Sequence, residues 1–234
     1  MAKSSKALVE FRNSLKMAEE LRIRERKFNK NEIPLQQDEN FVYGLRGGSI
    51  VLMVGAFENF LEELTAEKLD YLKQHPKFDP NNLPPVLVFH NCSNTFKNTP
   101  EISGQFQDPV DRIKVYHKAA TLVVNTEIDL QLFTILADNN PNPKKVLKLF
   151  ASLGIPDIFR TIKPKFDKKW KQVTSGTWIY DELDTLVKRR HEVAHAAYVR
   201  GFSRDDLKRY IRFLRILSDV LDQELNSHIQ KMVK

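Results

Sequence analysis

Hydrophobic residues recur along most of this 234-residue chain at intervals of three and four, the spacing of one face of an α-helix. The pattern predicts amphipathic helices over residues 4–29, 109–137, 178–199 and 203–232. A fifth segment, residues 38–74, has a middle that is apolar nearly all round, which predicts a buried central helix. The sequence shows no strand pairs with hairpin turns, so we expect an all-α fold.

Residues 75–109 interrupt the helical pattern. They hold six of the eleven prolines and several asparagines, a composition typical of turns and loops. The sequence therefore predicts an irregular, proline-rich insertion with one short helix near residues 86–96. Further along the chain we expect short helices at residues 143–153, 156–162 and 164–173.

The composition is that of a water-soluble globular protein. Hydrophobic residues make up 41% and charged residues 29%, and the length suits one domain over residues 1–234. The single cysteine, Cys92, excludes an internal disulfide and cysteine-rich metal centres, and it is typical of a reducing compartment. The longest apolar run, near residues 49–56, is shorter than a membrane span. We expect a cytoplasmic protein without a signal peptide or a membrane segment.

The net charge favours an anionic partner. The formal charge is +7, which indicates nucleic acid first. Lysines between residues 163 and 171 surround Trp170, which either stacks on bases or packs in the core. The better candidate for phosphate contacts is a basic stripe at helical spacing in the last predicted helix. It consists of Arg204, Lys208, Arg212 and Arg215.

Most of the candidate chemistry lies in one motif, Arg190-His191-Glu192-Val193-Ala194-His195. From His191 onward it is His-Glu-x-x-His, the zinc-binding pattern of many metallopeptidases, with Glu192 as general base. Two features count against zinc: the three cations just before His191, which are Lys188, Arg189 and Arg190, and the absence of a predicted sheet for binding peptide. A third zinc ligand would come from the last helix: Asp219, Asp222, Glu224 or His228.

From Arg190 onward, the same motif resembles the arginine-x4–6-histidine motif of the HEPN superfamily. The block from Leu45 to Glu62, with Ala56-Phe57-Glu58 in it, is similar to the first conserved helix of one branch, the RiboL-PSP-HEPN proteins. The resemblance spans about residues 40–225. It implies a helical bundle that forms a homodimer and brings two motifs into one cleft. Many such proteins are metal-independent endoribonucleases, often toxins with an antitoxin protein or anti-phage effectors.

The residue types suit cleavage of RNA through its 2′-hydroxyl, which leaves a 2′,3′-cyclic phosphate and a 5′-hydroxyl. We predict His195 as the acid and base and Arg190 as the phosphate clamp. His191 would position the phosphate or orient the other groups. Glu58 and Glu192 are predicted to support the site, Glu58 as the partner of Arg190. No metal and no cofactor are expected.

A non-catalytic interpretation stays open. Positions 190 and 195 lie about 140° apart on a regular helix. Arg190 and His195 therefore meet only if Arg190 reaches round, the helix is distorted, or a second subunit completes the site. Alternatively, Arg190 pairs with Glu58 and the histidines are polar surface residues. The chain would then be a HEPN module that binds nucleic acid or a partner protein without cleaving RNA.

Overall fold

The computed structural model describes residues 4–28, 33–79, 81, 83–125, 141–196 and 202–233. These residues form α-helices and one 3-10 turn, without a strand, so the all-α prediction is confirmed. The helices are α1 (Lys6–Phe28), α2 (Glu39–Gln74), α3 (Pro85–Gly104), α4 (Pro109–Val124), α5 (Pro143–Ser152), α6 (Ile158–Trp170), α7 (Trp178–Ala196) and α8 (Arg204–Met232). The 3-10 turn, Gln36–Asp38, directly precedes α2.

The long helix α2 is the element on which α1, α7 and α8 pack. Its inner face buries Phe57 and Phe60, and Phe11 of α1 lies 6.1 and 5.1 Å from their ring centres. Aromatic pairs at these distances add to the stabilisation that burial alone supplies. The outer face is not buried, because Val51 and Leu52 are each 38% exposed. The prediction of a helix buried nearly all round is wrong on that side.

Among the described residues, the segment Gln36–Gln74 is long and apolar enough to cross a membrane, by length and composition only. A core helix of a helical bundle has the same composition, and α2 lies against three other helices. The expectation of a chain without a membrane segment remains a prediction.

Residues 75–109 are not an irregular insertion. They contain α3, a helix of 20 residues, and the prediction drawn from their prolines is wrong. Pro85 begins α3 and Pro109 begins α4, at a position where the missing N–H of proline costs nothing. Pro100 lies inside α3 and removes one backbone hydrogen bond there. Three of the six prolines, Pro84, Pro85 and Pro109, are at helix starts. Composition alone cannot distinguish such prolines from those in loops.

Two other predicted boundaries change. The helices expected at 156–162 and 164–173 are one helix, α6, which continues through Pro164. The side chain of Asp157 caps its first turn by accepting a hydrogen bond from the backbone N–H of Arg160 at 3.1 Å. Two helices were predicted to extend beyond the observed ends of α4 and α7, over residues 125–137 and 197–199. Apart from Asn125, these residues lie outside the described part of the chain.

A buried ion cluster connects α1, α2 and α8. Glu25 of α1 is fully buried and accepts hydrogen bonds from Arg46 Nη2 at 2.8 Å and Arg204 Nε at 2.6 Å. Arg46 Nη1 also donates to the carbonyl oxygen of Phe202 at 2.6 Å, just before α8 begins. Burial by itself raises the pKa of Glu25, but the hydrogen bonds from both arginines outweigh it and the pKa is lowered. The cluster therefore fixes the start of α8 against α1 and α2.

Candidate active site

The motif lies in the last two turns of α7. The earlier turns of this helix bury Ile179, Leu183, Leu186 and Val187, which hold α7 against the rest of the bundle. Helical structure continues without interruption to Ala196, so the motif is on a regular helix. The packing of these apolar residues therefore decides the direction in which each motif side chain points.

His191 and His195 form an exposed pair on one face of α7. They are four residues apart, and their ring centres are separated by 4.2 Å with 46° between the ring planes. Neither ring has a hydrogen bond to the described residues. Both imidazoles can therefore exchange protons with a substrate that binds at this face.

Arg190 points away from this pair, towards α2. It is half-buried, and its guanidinium makes no hydrogen bond or ion pair within the described part of the chain. Because five residues of regular helix separate it from His195, the two side chains leave α7 about 140° apart. One copy of the chain thus brings the two histidines together but leaves Arg190 on a different face.

Glu58 of α2 lies close enough to Arg190 for the two charges to interact, but the two side chains form no direct salt bridge. Its Oε1 is buried and accepts no hydrogen bond from the described residues. Burial and the carboxylate of Glu62 raise the pKa of Glu58, against the opposing positive charges of Arg190 and Lys145. Arg190 and Glu58 are therefore neighbouring charges, and the guanidinium retains its capacity to bind a phosphate.

Glu192 has a partner of its own. Its Oε2 accepts a hydrogen bond from Arg189 Nη1 at 3.1 Å, and both side chains are substantially exposed. Arg189 in turn lies 5.0 Å from the ring centre of Phe202. The predicted supporting residue Glu192 is thus paired on the outside of α7 rather than with His195.

The predicted third zinc ligands are all engaged by other elements. Within the described ranges, no group of three histidine, cysteine, aspartate or glutamate side chains could hold a metal ion. The structure therefore offers the two motif histidines no third ligand from α8. The observed partners are Arg12 and Lys169 for Asp219, the backbone N–H of Ser5 for Asp222, Lys165 for Glu224, and the carbonyl oxygen of Leu153 for His228.

The four basic residues predicted as a stripe on α8 do not share one exposed face. Arg204 faces inward and is neutralised by Glu25 in the buried cluster. Arg212 lies 4.2 Å from the ring centre of Trp170 and donates to the carbonyl oxygen of that residue at 2.5 Å. Lys208 and Arg215 are exposed and unpaired with any described residue. The sequence showed the helical spacing of these four residues. It did not show that Arg204 meets Glu25 of α1 or that Arg212 meets Trp170 of α6.

Trp170 is a core residue. It is 8% exposed and packs on Phe166 and Trp178, with ring centres at 5.8 and 5.2 Å. Of the two interpretations left open by the sequence, core packing is therefore the one that the structure supports. A ring that is 8% exposed and packed against other aromatic side chains is not a platform on which a base can stack.

Lys145 of α5 is the residue near the motif that the sequence did not single out. Its positive charge acts on Glu58 together with that of Arg190. A signal was present, because Lys144 and Lys145 occupy the first turn of α5, which holds no acidic residue. Cations are unfavourable at the positive end of a helix, so their presence there points to a role other than helix stability.

The family model of the RiboL-PSP-HEPN proteins matches residues 19–227, which is most of the chain. The matched range includes Glu58, α5 and the whole motif of α7. No curated protein and no solved structure matches the chain. The family match confirms the resemblance inferred from the motif and indicates a nuclease or a nucleic-acid-related function.

Proposed function

The chain belongs to the RiboL-PSP-HEPN family, and we propose that it is a metal-independent endoribonuclease. The observation that carries this proposal is the contact of two exposed imidazoles, His191 and His195. The same helix carries the guanidinium of Arg190, which is unpaired with any residue that the structure describes. RNA cleavage requires proton transfer and charge stabilisation, and these three side chains supply both.

In this mechanism His195 removes the proton of a ribose 2′-hydroxyl. The 2′-oxygen attacks the adjacent phosphorus, the bond from phosphorus to the 5′-oxygen breaks, and the leaving 5′-oxygen takes up the proton that His195 has removed. Arg190 stabilises the negative oxygens of the phosphorane. His191, whose ring touches that of His195, positions the phosphate. The products are a 2′,3′-cyclic phosphate and a 5′-hydroxyl.

The proposed active form is a homodimer with a composite site. Because α7 is regular through the motif, Arg190 and His195 of one copy do not face a common point. A second copy placed against the first would supply the partner's Arg190 to the histidine pair. Each of the two sites would then hold side chains from both subunits.

Mixing two inactive variants tests the composite site. We expect a mixed dimer of Arg190→Ala with His195→Ala to recover cleavage, because one of its two sites would then contain intact Arg190 and intact His195. Co-expression with two different affinity tags isolates the mixed dimer for assay on RNA. If each site lies within one chain, the mixed dimer has no intact site and remains as inactive as either parent.

We also propose that the biological role is that of a toxin or an anti-phage effector, acting on cellular RNA in the cytoplasm and restrained by an antitoxin protein. The family resemblance supports this role. The test is growth of cells that express the chain. Growth arrest relieved by His195→Ala supports it, whereas equal growth with both forms contradicts it.

The second candidate is a HEPN module that binds nucleic acid without cleaving it. One observation favours it: no described residue orients either histidine through a hydrogen bond, and catalytic histidines are commonly oriented in that way. RNA binding by the wild-type protein, with no cleavage in EDTA across many RNA sequences, would establish this candidate in place of the nuclease.

Replacing Glu58 with glutamine is expected to stabilise the fold and, if Glu58 positions Arg190, to slow cleavage. Because the pKa of Glu58 is raised in the fold, its charged form destabilises the native state above that pKa. Glu58→Gln should therefore increase the free energy of unfolding at neutral pH, and the gain should disappear as the pH falls below the ordinary range of a glutamate. Urea unfolding at several pH values measures this.

The same variant should lower cleavage if Glu58 positions Arg190. A misplaced guanidinium reduces the rate by a factor of up to about a hundred. A variant that is more stable yet slower would show that the carboxylate serves the site. Unchanged cleavage together with increased stability would remove Glu58 from the site.

A further inference from the structure

The amino-terminal turns of α5 carry positive charge where a helix tolerates it least. Asn142 caps this helix, with its side chain accepting a hydrogen bond from the backbone N–H of Lys145 at 3.0 Å. Lys144 and Lys145 follow in the first turn, and Lys148 lies one turn on. Free N–H groups and the helix dipole already make this end positive, so three lysines there weaken the helix but strengthen its attraction for anions.

Lys145 links this end of α5 to the motif. Its charge and that of Arg190 both act on Glu58, so cations from α5 and α7 lie close to the same carboxylate. The helices α5 and α7 are also in direct contact. The negative charges near these two cations, those of Glu58 and Glu62, are both on α2. Cations of two different helices, Lys145 of α5 and Arg190 of α7, thus act on the same carboxylate of α2.

Lys144 and Lys148 extend the positive surface outward from Lys145. They are four residues apart, so they project from the same face of α5, and both are exposed. Neither has an ion pair or a hydrogen bond to a described residue through its side chain. The buried positions of α5, which include Val146, Leu149 and Phe150, hold the opposite face against the core. Lys144 and Lys148 therefore do not stabilise the described part of the bundle through an ion pair or a side-chain hydrogen bond.

We propose that Lys144, Lys145 and Lys148 form a backbone-binding track for single-stranded RNA, holding phosphates next to the one that Arg190 clamps. This inference rests on the proposed ribonuclease function for the identity of the ligand. It places the phosphate contacts on α5 instead of the basic stripe predicted on α8. In that stripe Arg204 forms an ion pair with Glu25, and Arg212 donates a hydrogen bond to the carbonyl oxygen of Trp170. The track determines how tightly RNA binds and which stretch of it reaches the histidines.

The test compares two double variants with the same loss of charge, both made in full-length His195→Ala protein so that RNA is not cut. Lys144→Gln/Lys148→Gln removes charge from α5, and Lys208→Gln/Arg215→Gln removes it from α8. Affinity for a labelled single-stranded RNA is measured across salt concentrations. Thermal unfolding of all variants confirms folding, and the α5 pair should melt at the wild-type temperature or above.

Each lost phosphate contact lowers the salt slope of single-strand binding by about 0.7, so the α5 pair should lower it by about 1.4. The α5 pair should therefore bind RNA more weakly than the protein with both lysines, and this difference in affinity should be about sevenfold smaller at 200 mM salt than at 50 mM. The α8 pair should leave the slope unchanged. Equal effects of the two pairs, or an effect of the α8 pair alone, would overturn the track.

Cleavage kinetics with intact His195 separate this inference from the ribonuclease proposal. The α5 pair should raise KM with little change in kcat, as expected for lost uniform binding. Cleavage by wild type with no effect of the α5 pair on binding overturns the track alone. If the α5 pair lowers the salt slope of RNA binding but wild type cleaves no RNA, the ribonuclease proposal is overturned and the track is supported.

Discussion

Replacing His195 with alanine is expected to slow RNA cleavage by a factor of about 10² to 10⁴, the usual contribution of a positioned acid or base. Replacing Arg190 with alanine should cost about 10² to 10³, because the charge that develops on the phosphorane loses its partner. Neither side chain has a hydrogen bond or an ion pair with a described residue, so neither variant breaks such a bond. The loss should therefore be in activity rather than in stability.

The measurement is incubation of purified protein with mixed RNA in EDTA, followed by analysis of the product ends. Wild type should leave cyclic phosphate ends, and both variants should leave the RNA intact. Two matched controls should retain activity: Arg189→Ala, an adjacent arginine paired with Glu192, and His117→Ala, an exposed histidine of α4. Cleavage by His195→Ala at the wild-type rate, or loss of wild-type cleavage in EDTA, would contradict the mechanism.

Replacing Glu25 with alanine is expected to lower the free energy of unfolding by about 3 to 5 kcal/mol, as for other broken buried ion clusters. The carboxylate is fully buried, and its removal takes away the charged group to which Arg46 and Arg204 both donate hydrogen bonds. Such a change is a large share of the stability of a typical domain. Urea unfolding measures it.

Glu10→Ala is the matched control on the same helix. Its carboxylate is 3.6 Å from Lys6, but both side chains are largely exposed, and exposed pairs contribute little. The control should therefore unfold close to the wild type. Similar losses for Glu10→Ala and Glu25→Ala would show that the buried cluster has no special role.

The contribution of Glu25 should also depend on pH. Its pKa is lowered in the fold, so the folded state favours the charged form and gains stability above the ordinary pKa of a glutamate. That stability is lost as the pH falls through the lowered pKa. The difference between wild type and Glu25→Gln should therefore shrink in acid, and a difference that stays constant would contradict this.

Local signals in the sequence determined most of the helices and the position of the motif. Apolar spacing predicted α2 and α8 to within about a residue. Ser203 caps α8, and the carboxylate of Asp206 accepts a hydrogen bond from the backbone N–H of Ser203. The arginine and histidines of the motif are also a local pattern. These features depend on residues a few positions apart, so the sequence contains them directly.

Only the tertiary structure decided which charges are available for chemistry. Arg204 and Lys208 are one turn apart on α8, yet Arg204 meets Glu25 of α1 while Lys208 remains exposed. Likewise, Lys145 comes near Arg190 and Glu58 only because α2, α5 and α7 pack together. Helical spacing fixes the face on which a side chain lies. The charge that it meets there comes from a distant part of the chain, and packing of the helices brings it into place.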